Sequence, residues 1–304
     1  MAWKPLLIFS LLLGFTGCGP GGGALEPGFG ERGLYPGQFV RPRALAALPS
    51  VKDGELYNID FSGRIQVFDL DGHYRREWKT PTIENGRPSA LALSPDGGKV
   101  VVADSHYQRV LIYTPAGEKV GSIDGKDGEP PGPFGYISGV AVAADGSIFF
   151  AEFSDNARIH RYSADEKHLL SFGSHGREPG QFARPRGLAI TPQGDLLVAD
   201  SCNHRLQRFS LDGKLLQVIG KQGTGPGEFN YPYSVAVGLD GSIYTIEFGN
   251  HRVQKFSPAG EPLSMWGQPG RGPGMLHSPW GICVDGRGVV WVADTENHRL
   301  QRIK

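Results

Sequence analysis

Residues 182–220 read FARPRGLAITPQGDLLVADSCNHRLQRFSLDGKLLQVIG. This stretch reads as four short strands separated by turns. Residues 187–190 are a short apolar run, and Pro192-Gln193-Gly194 is turn punctuation. Residues 196–199 are continuously apolar, which predicts a strand covered on both faces. In 205–209 the large apolar residues Leu206 and Phe209 fall on opposite faces of a period-two strand. Leu211-Asp212-Gly213 turns the chain again, and 215–219 supplies the last strand. A four-stranded antiparallel sheet that is apolar on both faces needs a similar sheet against each of them.

Further copies of the unit supply those neighbours. The landmark before the first strand recurs at Pro42, Pro88, Ile137, Pro185, Pro232 and Pro279, at intervals of 46, 49, 48, 47 and 47 residues. That period is typical of one propeller blade per repeat. An acid after the second strand recurs with a downstream arginine: Asp60/Arg64, Asp104/Arg109, Glu152/Arg158, Asp200/Arg205, Glu247/Arg252 and Asp294/Arg299. Six such units predict an all-β fold, a six-bladed β-propeller of four-stranded antiparallel blades over residues 25–304.

VADSCNHRLQRF, IEFGNHRVQKF and VADTENHRLQR resemble the NHL repeat, whose name comes from an Asn-His-Leu stretch. Here the motif stands as Asn203-His204-Arg205, Asn250-His251-Arg252 and Asn297-His298-Arg299. The resemblance implies the same six-bladed ring. It implies no single activity, because NHL propellers serve as protein-binding, RNA-binding and, in peptidyl-hydroxyglycine lyases, catalytic modules.

Ring closure is legible too. The last unit reaches Ile303-Lys304 after its third strand, while residues 25–30 resemble the end of a fourth strand followed by the usual blade connection. The N-terminal strand is therefore expected to complete blade six and leave no open edge. Before it, residues 1–17 read as a lipoprotein-type signal peptide: a lysine, a short apolar run too short to span a bilayer, then Gly17-Cys18. Cys18 is the expected lipidation site, and residues 18–24, rich in glycine, the expected tether. A monomer held in the bacterial envelope by a lipid anchor follows, at the outer membrane on its periplasmic or surface side.

Lys plus Arg and Asp plus Glu number 31 each, a balance that argues against a nucleic-acid partner. Besides Cys18 there are two cysteines, Cys202 in a loop and Cys283 in a first strand two blades away, so no disulfide is expected. No cofactor is indicated. The Gly-rich connections open no helix, which argues against phosphate cradling.

Positions alike in every unit are most simply structural, so the acid/Arg pairs are expected to brace the loop between second and third strands. His204, His251 and His298 are weak candidates for a metal, since zinc favours a histidine triad but these three stand on separate blades. Two positions vary from unit to unit. The residue after the acid is aromatic in alternate units, Phe61, Phe153 and Phe248. The residue beside the landmark reads Arg43, Ser89, Ser138, Arg186, Tyr233 and Trp280. Both sets fall on one face of the ring, beside the channel. Arg43, Arg186, Tyr233, Trp280, Phe61, Phe153 and Phe248 are thus the expected ligand-binding residues, of the types enriched at binding hot spots. The function they favour is capture of an envelope protein, peptide or glycan without catalysis. The alternative is a metal-dependent lyase or hydrolase of the NHL-type propeller group.

Overall fold

Each repeat becomes one four-stranded antiparallel sheet in the computed structural model, which describes residues 25–125, 131–154 and 156–303. The expected signal peptide, the tether and Cys18 lie outside those residues. In blade four the strands are Pro185–Ile190, Leu196–Asp200, Arg205–Phe209 and Leu215–Ile219, in that spatial order from the axis outwards.

The second strands are the most deeply covered because both faces meet another sheet. All five residues of Val100–Asp104, Leu196–Asp200, Ile243–Glu247 and Val290–Asp294 are buried. Six apolar clusters fill the six spaces between consecutive blades. One of them joins blade six to blade one, with Trp291, Ala293 and Leu300 packed against Leu45, Leu56 and Phe68.

The predicted closure is present. Leu25–Phe29 pairs antiparallel with Arg299–Ile303, in the register Leu25↔Ile303, Glu26↔Arg302 and Phe29↔Leu300. Phe29 then contacts Phe39, Phe68 and Trp291, with ring centroids 4.9 to 6.1 Å apart. Gly28 permits this docking, since a Cβ there would lie 1.4 Å from the Leu300 carbonyl oxygen. A side chain at that position is sterically forbidden without backbone movement.

The first strands, Pro42–Ala46, Ala90–Leu93, Tyr136–Val142, Pro185–Ile190, Pro232–Val237 and Gly281–Val284, line the axis. They enclose a channel of about 400 Å³. At one end the loops joining second to third strands meet the blade connections; at the other stand the turns joining first to second strands. Four of the landmark-adjacent residues, Arg43, Ser138, Arg186 and Tyr233, fall inside their first strands, so the strands start slightly earlier than the sequence pattern suggests.

Candidate functional site

Every acid/Arg pair closes. The separations are 3.2 Å for Arg64–Asp60 and 2.8 or 2.9 Å for Arg109–Asp104, Arg158–Glu152, Arg205–Asp200 and Arg299–Asp294; Arg252 and Glu247 are also bonded. The acid is a hub rather than half of a simple pair. Asp200 accepts hydrogen bonds from Arg205 Nε, Asn203 Nδ2, Gln207 Nε2 and the Ala183 backbone N–H. Arg205 donates onward to the carbonyls of Glu178 and Gln181, and Asn203 to that of Gly176. The network fastens the blade connection to the blade and is repeated around Glu247 and Asp294. Burial pushes the Asp200 carboxyl above its usual range, although these donors oppose the shift.

The three motif histidines tie each blade to the next. Each has φ between 52° and 55°, ending the short turn after the second strand. Each ring accepts, at Nδ1, a backbone N–H from the connection entering the next blade: His204 from Tyr231 at 3.2 Å, His251 from Ser278 at 2.8 Å, His298 from Arg41 at 3.0 Å. Among the described residues no three His, Cys, Asp or Glu side chains gather in a way that could hold a metal ion. Cys202 and Cys283 are both free thiols.

Blade three departs from the pattern. His160 stands where Gln207, Gln254 and Gln301 stand in blades four to six. Its Nδ1 meets Ser171 Oγ at 2.7 Å and its Nε2 faces Glu152 Oε2 at 3.3 Å without a well-aligned hydrogen bond. The ring is fully buried between Phe134 and Phe150. Burial pulls this imidazole below its usual value against the pull of Glu152.

The variable positions converge at the channel mouth. The Arg43 guanidinium lies 4.5 Å from the Trp280 ring centre and 4.6 Å from that of Phe61. Arg186 lies 4.8 Å from Tyr233, 5.0 Å from Phe153 and 5.7 Å from Trp280. Tyr233 stacks on Phe248 at 4.7 Å and meets Trp280 at 5.4 Å. All seven expected binding residues thus belong to one cluster. The three Phe rings carry its cations and Tyr233 on their faces, so they act as supports. A desolvated cation over an aromatic face gains about 2 kcal/mol.

Sequence reasoning missed the cations behind this cluster. Arg41 and Arg87 lie 5.3 and 5.0 Å from Phe61, and Arg184 lies 5.1 Å from Phe153. Arg41 pairs with Glu296, whereas Arg43, Arg87, Arg184 and Arg186 form no ion pair with a carboxylate among the described residues. Nε of both Arg87 and Arg186 is buried without an acceptor among those residues. Burial, then the positive charges of Arg186, Arg41 and Arg87, pull the Arg43 guanidinium down to about 10. Burial also lowers the Arg186 guanidinium. A cavity of about 270 Å³ opens here, walled by Arg43, Arg87, Arg184, Arg186, Tyr136 and Trp280. Positive charge without a counter-charge among the described residues thus gathers at a partly dry concave surface, where its field is least screened.

The NHL repeat pattern matches residues 182–209, 229–256 and 276–303, in blades four to six. The protein SUPPRESSOR OF QUENCHING 1 of Arabidopsis thaliana is 29% identical over 168 residues, covering 46% of this chain and 16% of that protein. The chain thus spans well under a fifth of that relative's length. Among solved structures, a gluconolactonase from Xanthomonas campestris superposes with a TM-score of 0.68 at 14% identity, covering 95% of this chain and 98% of the other. A streptogramin B lyase does so with a TM-score of 0.61 at 15% identity, covering 90% and 95% respectively. At such identities the likeness is one of fold.

Proposed function

Because this chain is an NHL-repeat six-bladed β-propeller, we propose that it is a binding module that captures a carboxylate- or phosphate-bearing ligand at the channel mouth without catalysis. The observation that carries this reading is the pair Arg43 and Arg186, both over the Trp280 ring and both forming no ion pair with a carboxylate among the described residues. A rigid ring sets their backbone positions, so the ligand meets a preformed surface and little ordering cost falls on binding. Guanidinium groups offer planar paired donors to such an anion. A neutral glycan suits the site less, since the faces of Phe61, Phe153 and Phe248 are already covered. The alternative reading, a metal-dependent lyase or hydrolase, gains nothing from this mouth, where clustered arginines repel a cation. An envelope location with Cys18 lipidated completes the proposal and rests on the reading of residues 1–18.

The test is calorimetric titration of benzoate, a carboxylate on a flat apolar ring. Arg43→Ala with Arg186→Ala is expected to weaken binding at least about 30-fold, the loss of one or more hot spots. Asp212→Ala, in a turn on the opposite face, is expected to leave it unchanged. Equal weakening by Asp212→Ala, or none by the arginine pair, would place the anion elsewhere.

A further inference from the structure

The channel below the arginines has a chemistry of its own. Ala46, Ala92, Val142, Ile190, Val237 and Val284, one from each first strand, are part of its wall. Arg43 and Arg186 are the charged residues of that wall, and both stand at the end nearest the loop-face cavity. At the other end Leu48, Pro192 and Leu239 surround an opening, and Leu239 is 65% exposed. Polar groups reach the wall at Ser138, Ser234 and Thr191 and along the free inner edges of the first strands, while most of the lining side chains are apolar. A mostly apolar shaft of about 400 Å³ sits at the small end of the range for ligand pockets. First strands of four to seven residues make it roughly 16 Å deep, at about 3.3 Å per residue. Those dimensions suit one alkyl chain rather than the paired chains of a bilayer lipid.

We propose that the ligand is a single-chain anionic amphiphile, a fatty-acid-class carboxylate, whose alkyl chain fills the channel while its head group meets Arg43 and Arg186. This rests on the anion-binding reading above and adds the tail to it. The charge complementarity is specific: of the four mouth arginines that form no ion pair with a carboxylate among the described residues, Arg43 and Arg186 are the two shared between the shaft and the loop-face cavity, together with Ser89 and Trp280. Removing the alkyl chain from water is the gain that makes affinity depend on chain length.

The experiment is a titration of the mature protein with butanoate, hexanoate and octanoate, with octyl glucoside as a neutral head on the same octyl tail. Affinity should rise about fourfold for each methylene added, and octyl glucoside should bind far more weakly than octanoate. Ala92→Phe and Ala189→Phe, both at half-buried positions in the channel wall, fill the shaft. In these variants octanoate is expected to fall to the affinity of butanoate while butanoate itself is unchanged, with the melting temperature showing that the ring is intact. If benzoate and butanoate bind but octanoate gains nothing over them, the tail site is wrong and the anion site stands. If chain-length dependence survives in folded, filled variants, the tail lies elsewhere and the inference fails. If none of the carboxylates binds, the anion reading fails with it. The wild-type series needs no variant, so misfolding of the substituted proteins leaves the inference open to refutation.

Discussion

The Trp280 ring and the Arg43 guanidinium are 4.5 Å apart, yet they belong to the last and first blades of the ring. They meet because Leu25–Phe29 completes blade six and draws blade one against it. The candidate site therefore straddles the seam, and loosening the seam should loosen the site. Phe29→Ala removes the aromatic contacts of this partly buried ring to Phe39, Phe68 and Trp291 and is expected to cost about 2 kcal/mol. Urea unfolding measures this, and an unchanged midpoint would show that the N-terminal strand does not hold the ring.

The acid hubs give a second expectation. Asp200 is fully buried, and Arg205 is its cationic partner at 2.9 Å. Arg205→Ala leaves a buried carboxylate without its countercharge and should cost about 3–5 kcal/mol. Exposed Arg75 also bonds Asp69, and Arg75→Ala is expected to cost less than about 1 kcal/mol. Equal losses in the two variants would deny the hub its role.

Acid sensitivity follows from the histidines. Burial holds His204, His251 and His298 below the usual value of 6.5. The unfolded chain therefore binds protons that the folded ring refuses, so stability falls as pH drops below about 6.5 and levels off beneath the folded values. Protonation at Nδ1 also abolishes the acceptor that holds the next blade. Melting temperatures measured from about pH 7.5 down to 5 should decline, and His298→Asn, which tolerates the left-handed backbone, should decline less steeply. An identical slope in that variant would assign the sensitivity to other groups, His160 first among them.

Cys18→Ser should abolish lipid attachment and leave the protein unprocessed or released from membranes. Mass spectrometry of the mature N-terminus checks this directly. A mature chain starting at any residue other than Cys18 would refute the anchor.

Much of the ring was readable because it is periodic. Six copies of the acid/Arg pair set the blade count, and the connection-like stretch after residue 30 marks the closing strand. The binding cluster was readable in part, through comparison of each unit with the others. Arg43, Arg186, Tyr233 and Trp280 stood out by breaking register. Arg41, Arg87 and Arg184 did not, although each precedes a landmark proline, in Arg41-Pro42, Arg87-Pro88 and Arg184-Pro185. That recurrence made them look like part of the scaffold. A channel was expected from the propeller fold, but its width and its lining were not legible. Residues such as Ala92 and Ala189 read as ordinary strand interior, and whether six such strands leave a void depends on ring radius, which no local pattern encodes.

The most direct test of the anion site is a crystal structure of the protein soaked in 4-bromobenzoate, with the bromine located by its anomalous signal. The account predicts the bromobenzoate at the channel mouth, its carboxylate within hydrogen-bond distance of Arg43 and Arg186 and its ring against Trp280. Bromine found only on the turn face or on the outer strands, with the mouth arginines uncontacted, would contradict it.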